Sequence, residues 1–255
     1  MNTSLISFQT IVRKEVSRFL RIWPQTLLPS VITMTLYFMI FGNFIGSRIE
    51  GFQGYSYMNF IAPGIIMMAI IMNSYSNVVS SFFGSKFQRS IEEILVSPTP
   101  TWVIITAFCS GGMLRGLIVG VLVSLVALFF TQLVIFNLFI VLVYVLLTAL
   151  VFSMLGLLNG IYATKFDDIS IIPTFVLTPL TYLGGVFYSI TLLPAFWQTV
   201  SKANPILYMV NGFRYGFLGI SDISVGAGLG ILVVFTIILY AVNHHLINKG
   251  VGLRS

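Results

Sequence analysis

Residues 138–162 read LFIVLVYVLLTALVFSMLGLLNGIY, with no charged side chain and no proline. A helix rises about 1.5 Å per residue, so about 20 such residues cross the roughly 30 Å hydrocarbon core of a bilayer. The stretch therefore reads as a membrane span. Outward from it the composition stays the same: of 255 residues, 57% are hydrophobic and 8% charged, and mean hydropathy is +1.00. A soluble domain carries about 25% charged residues. This chain could not cover its own surface in water, and the sequence predicts an integral membrane protein with roughly six spans and no separate soluble domain.

The remaining spans follow from uncharged runs. Trp23–Ile45 opens with Trp23-Pro24 and closes before Arg48 and Glu50. After a polar stretch with Gly51, Gly54 and Asn59, about Phe60–Phe83 crosses back. Trp102–Val134 is too long for one upright span and contains Arg115, so its first turns lie along the interface or the helix tilts. Ile169 to about Phe187 is the fifth span and Val225–Leu246 the sixth.

Residues 1–22 carry Arg13, Lys14, Glu15, Arg18 and Arg21 with apolar residues at helical spacing, the pattern of an amphipathic interfacial helix. Between Tyr188 and Ser221 the chain is apolar but broken by Pro194, Lys202, Pro205 and Arg214. That suits two half-helices dipping into one face of the membrane, with the turn at Asn204-Pro205. Six crossings put both termini on one face. Arg13, Lys14, Arg18, Arg21, Lys86, Arg89, Lys165, Lys249 and Arg254 then oppose Arg48, Lys202 and Arg214, which makes the termini cytoplasmic.

The expected fold class is thus an all-α integral membrane protein forming a single transmembrane domain over 1–255. It has six transmembrane helices, an N-terminal interfacial helix (1–22), a cytoplasmic helix and loop between spans two and three (84–100), and an external re-entrant hairpin between spans five and six (187–221). No cleavable signal peptide is expected.

Functional classes narrow by their missing chemistry. The net charge of +6 is scattered between apolar blocks and forms no nucleic-acid stripe. Gly84-Ser85-Lys86 is a mere fragment of a phosphate-binding loop, so no ATP hydrolysis is expected from this chain alone. His244 and His245 are adjacent, which points them about 100° apart on a helix and suits no shared metal. Asp167 and Asp168 sit beside Lys165 in a turn, where capping is the simpler role. Cys109 stands alone in an apolar run. No catalytic group, bound cofactor or metal is expected, and ion coupling lacks its usual mid-membrane acids. Arg115 snorkels, bonds a carbonyl or contacts substrate.

Three features remain. Gly112, Gly116 and Gly120 make a smooth groove for close helix packing. Eight aromatics between Phe187 and Phe217, among them Tyr188 and Tyr208, read as interfacial anchors or as a gate. From Lys86 to Val96 one amphipathic helix is expected, with Phe87, Ile91 and Leu95 aligned and Lys86, Arg89, Glu92 and Glu93 on its polar side. Stopped by Ser97-Pro98-Thr99-Pro100, it could pass movement from a cytoplasmic protein into the membrane.

In these elements the chain resembles the ABC-2 type permeases, membrane subunits of a class of ATP-binding-cassette exporters. Arg89 and Glu92-Glu93-Ile94-Leu95-Val96-Ser97-Pro98 look like the family's Glu-x-Leu-Leu-x-Ser/Thr-Pro coupling helix, with Ile94 in place of a leucine. Phe166-Asp167-Asp168, Gly184-Gly185-Val186-Phe187-Tyr188, Leu193-Pro194, Asn204-Pro205-Ile206-Leu207-Tyr208 and Arg214 follow in the family's order, with Ser189 where many members have proline.

The resemblance implies a homodimer, or a pair of like permeases, docked through coupling helices on two copies of a separate cytoplasmic ATPase. That partner binds the ATP and Mg; this chain contributes a path and a lever. It further implies an external gate at the hairpin and a bacterial inner-membrane location. An autonomous ion-coupled carrier or channel is the rival class.

Overall fold

The computed structural model describes residues 3–48 and 54–252. Glu50, Gly51 and Arg254, used above to bound span one, mark the following loop and count charge, lie outside them. Twelve α-helices are described: α1 (Thr3–Arg21), α2 (Trp23–Thr26), α3 (Leu28–Tyr37), α4 (Tyr57–Phe87), α5 (Ser90–Val96), α6 (Thr101–Ala127), α7 (Leu138–Tyr162), α8 (Asp168–Ile172), α9 (Thr178–Leu183), α10 (Ala195–Lys202), α11 (Pro205–Leu218) and α12 (Val225–Lys249).

Among the described residues, five stretches are long and apolar enough to cross a membrane: Trp23–Gly42, α4, α6, α7 and α12. The first joins α2 and α3 to a π-helical continuation, Phe38–Ile45, with a proline in the first turn of each α-segment. The expected fifth span takes a different form. Asp168–Leu183 is a shorter apolar stretch in which α8 and α9 flank a π-helical turn, Pro173–Leu177. At about 1.5 Å per residue it reaches roughly 24 Å, less than the hydrocarbon core. Pro173 and Pro179 each remove a backbone donor there, and the widened turn absorbs the mismatch.

Two further boundaries differ from the sequence reading. The long apolar run from Trp102 leaves the helix after Ala127. Its tail crosses to α11, where Phe136 and Asn137 donate backbone N–H to the carbonyls of Phe217 and Gly216 at 3.1 and 2.8 Å. Those carbonyls end a helix and would otherwise lack donors. Nor do Lys86 and Val96 share one helix: Arg89 adopts a left-handed conformation (φ 60°), so α4 runs through Phe87 and α5 starts afresh at Ser90.

α4 is the axis of the bundle, buried along nearly its whole length. Its faces are assigned by side-chain size. Ile70, Ser74 and Val78, one turn apart, lie against Gly120, Gly116 and Gly112 of α6, while Tyr75, Val79 and Phe82 lie against Gly156 and Gly160 of α7. Lipid tails are as apolar as these side chains, so helices associate by close van der Waals approach, which glycine permits.

Candidate functional site: a projecting helix, a polar seam and a buried arginine

α5 is fastened at both ends. Ile91 is buried at its root, and Ser90 Oγ donates to the Ser85 carbonyl at 3.2 Å. Beyond its last turn, Ser97 Oγ donates to the Ile94 carbonyl at 2.6 Å, and Thr99 Oγ1 bonds Ser7 of α1 at 3.1 Å. The helix thus bridges the end of α4 to α1. Its outer side shows Glu92 and Glu93, both exposed, with Leu95 half-buried.

The break at Arg89 separates the other residues expected on this helix. Lys86 Nζ turns back to the last turn of α7, donating to the Ile161 and Ala163 carbonyls at 2.8 and 2.7 Å. It caps a helix C-terminus, where a cation complements the dipole. Phe87, exposed, meets Phe166 edge-on at 4.9 Å, and Phe83 meets Phe166 at 5.0 Å. Arg89 is exposed at the kink. Asp168 accepts from the Thr164 and Lys165 amides at 2.8 and 2.9 Å and from Thr164 Oγ1 at 3.0 Å. Those amide bonds hold its carboxyl below the ordinary carboxylate value.

Sequence reading missed a polar seam on the third face of α4. Asn73, Asn77, Ser81 and Ser85 recur every four residues and are all buried. Each meets a partner. Asn73 Oδ1 accepts from Arg115 Nη2 at 3.2 Å and from Ser30 Oγ at 3.1 Å. Asn77 Oδ1 and its carbonyl accept from Arg18 at 2.9 and 3.0 Å. Ser81 Oγ donates to Glu15 Oε1 at 2.5 Å, and Lys14 Nζ donates to Ser85 Oγ at 3.3 Å.

Glu15, expected on a surface helix, is wholly buried and pairs with Arg18 at 3.4 Å. So α1 lays one face on the bundle rather than lying free at an interface. Arg115 also bonds the Thr26 carbonyl at 2.8 Å, the carbonyl option among its three readings. The signal was present in the sequence as the i, i+4 polar spacing within an apolar run.

At the opposite end the chain makes a helical hairpin. A short 3-10 turn, Ile190–Leu192, precedes α10, which starts directly after Pro194; α10 and α11 then meet at Asn204. Asn204 Oδ1 caps α11 through the Ile206 amide at 3.0 Å, while its Nδ2 bonds the Leu180 carbonyl. Pro205 occupies the first turn, where its missing N–H costs nothing. Tyr208 donates to the Lys202 carbonyl at 2.7 Å across the bend.

Asp222, not singled out from sequence, ties the hairpin base, accepting from Ser189 Oγ at 2.8 Å and the Ile190 amide at 3.2 Å. Ser189 thereby holds the turn before α10, bonding both Asp222 and Thr191.

Arg214 is 1% exposed, among the largest fully buried side chains. Gly185, at φ +71°, bends the chain after α9 and leaves carbonyls without helical donors. Arg214 Nη2 donates to the Gly185 and Val186 carbonyls at 2.7 and 3.3 Å, and Nε to the Phe60 carbonyl at 3.0 Å. The guanidinium also lies 3.9 Å from the centre of the Phe60 ring. One cation thus joins α11, the Gly-Gly bend and the entry of α4 beside Pro63. Phe187 stacks on Phe41 at 4.4 Å, within reach of Tyr37 and Tyr182, and its carbonyl accepts from Tyr57 at 3.0 Å. Its ring is therefore buried in this chain, with Tyr188 half-buried beside it.

An apolar helical bundle with five membrane-capable stretches, a projecting helix and a folded hairpin, in which Glu15, Arg18, Lys86, Arg115 and Arg214 serve as internal ties, defines a polytopic membrane protein. The ABC-2 type transporter family profile matches residues 6–218, and the chain belongs to that family. It is 58% identical, over the full length of both chains, to the inner membrane transport permease YadH of Escherichia coli K12. Over 89% of this chain and 88% of the relative, it is 22% identical to nodulation protein J of Rhizobium meliloti.

Proposed function

We propose that this chain is the permease subunit of an ATP-binding-cassette exporter. Two copies form the substrate path, and two copies of a separate ATPase, which bind ATP and Mg, drive it through α5. The observation that carries the reading is the placement of α5: anchored by Ile91, braced to α1 through Thr99 and Ser7, and presenting Glu92 and Glu93 outward. A push on that surface loads α4, on which α6, α7 and α11 all pack. Family membership and the likeness to an inner membrane permease support the same assignment and a location in a bacterial inner membrane.

In this reading the stretch after the Asp168 turn, residues 169–183, is the fifth of six spans, completed by the Gly-Gly bend, and both termini are cytoplasmic. The hairpin closes the outer end as a gate. ATP binding closes the ATPases, the coupling helices rock, and the path between the two permeases opens outward.

The test is the double variant Glu92→Lys, Glu93→Lys, expressed with its cognate ATPase. Charge reversal at a docked surface costs several kcal/mol, so the ATPase should no longer co-purify while membrane insertion is unchanged. Undiminished co-purification and transport would overturn the assignment, as would transport by the purified chain alone.

A further inference from the structure

A cavity of about 430 Å³ lies between α7, α8, α9, α11 and α12, away from the α5 lever and from Arg214. Its walls are apolar: Val151 and Leu155 of α7, Val176 of the π-helical turn and Met209 of α11 are representative. Lining residues run along α7 from Val151 to Tyr162, a length of about 16 Å at 1.5 Å per residue. The void is therefore long as well as apolar. It is half-open rather than enclosed, and a surface so apolar accepts apolar ligands.

One end is chemically different. Asn159 and Tyr75 line the cavity near the end of α7, next to the turn that holds Asp168. The orientation of Asn159 is set by its amide nitrogen, which donates to Tyr75 Oη at 2.7 Å and to the Asp168 carbonyl at 3.4 Å. With both hydrogens so directed, Asn159 Oδ1 is left without a donor among the described residues. That oxygen is not sealed off by protein, so it can accept a hydrogen bond from a ligand in the cavity. The cavity thus offers an apolar slot with its polar groups, the Asn159 Oδ1 acceptor and the Tyr75 hydroxyl, at the end closest to the charged Thr164–Asp168 turn. That is the polarity of a single-chain amphiphile lying in a membrane leaflet, its head toward the interface and its tail toward the midplane.

We propose that this slot binds a long-chain fatty acid in its neutral form, the carboxyl O–H donating to Asn159 Oδ1 and the chain running along α7 toward Val151. The site is separate from the proposed ATPase coupling, and its occupancy can be read without any ATPase.

The probe is palmitic acid carrying a diazirine in the chain and an alkyne tag, added to the chain reconstituted in phospholipid vesicles; its methyl ester and a diazirine-bearing phosphatidylcholine are the comparisons. Photolysis and peptide mapping should place the acid on the segments containing Val151–Asn159 and Val176. The methyl ester, unable to donate, should label there about fivefold less, the worth of one neutral hydrogen bond. Asn159→Leu should abolish that difference. Val176→Trp, at a half-exposed wall position, or Leu155→Phe from the facing wall, should block labelling of the slot. Labelling of lipid-facing Leu142 serves as the internal control. Equal labelling by acid and ester, equal labelling by the phosphatidylcholine, or undiminished labelling in both filled variants would each overturn the proposal.

Discussion

Arg214→Met should destabilise this protein more than any other single change of similar volume. The substitution keeps a long unbranched side chain but removes the donors to the Gly185, Val186 and Phe60 carbonyls and the cation over the Phe60 ring. Water cannot replace them, because the site is 1% exposed. Leaving these buried carbonyls without their donor costs about 1–3 kcal/mol each, about 3–5 kcal/mol in all with the weaker Val186 contact discounted. At about 2–4 °C of melting temperature per kcal/mol for a chain of this size, the expected fall is roughly 6–20 °C.

Cys109 supplies the assay. It is the sole cysteine and 1% exposed, so a thiol-reactive fluorophore reports unfolding in detergent directly. Arg214→Lys should fall between the two, since an ammonium keeps the charge but cannot fork to carbonyls on two segments. A melting point for Arg214→Met within about 2 °C of the parent would refute the idea that the cation holds the hairpin to α4, because that shift corresponds to less than one surface-level interaction.

Other outcomes follow from the same geometry. Gly116→Leu should disrupt α4–α6 packing, because an added Cβ already meets Ser74 Oγ and lies 3.2 Å from the Ile70 carbonyl; Gly226→Ala, which meets nothing within 4 Å, should leave the melting curve unchanged. Asp168→Asn should speed hydrogen exchange at the Thr164 and Lys165 amides at neutral pH. In the parent, the depressed carboxyl value means the cap is complete above about pH 4 and is lost as pH falls through that lower value, and loss of protection on raising pH instead would contradict the sign. Ala203→Cys, at the exposed turn between α10 and α11, should react with a membrane-impermeant maleimide added outside intact cells, with Cys109 replaced by serine; reaction only after permeabilisation would place the hairpin on the cytoplasmic side.

The sequence by itself determined that the chain lives in a membrane, since 57% hydrophobic and 8% charged residues leave no other solvent. It also located α7 and α12 almost to the residue, because long uncharged runs need no partner to be recognised. Asn204-Pro205 marked the hairpin turn for the same local reason: proline restricts its own and the preceding backbone whatever surrounds it.

What depends on partners was settled only by the tertiary structure. Arg89 breaks the helix expected over Lys86–Val96 because Lys86 is drawn to the end of α7 while Ile91 is buried elsewhere, and no local rule contains that competition. Glu15 looked like one more charge on an amphipathic surface; its burial requires Ser81 and Arg18 to meet it from positions far apart or on a neighbouring turn. Arg214, read as a cation in need of protein or water, finds its carbonyls on segments 28 to 154 residues away. In a bilayer the apolar pattern places helices, but polar groups must be satisfied inside the protein, and which groups meet is a property of the packed bundle alone.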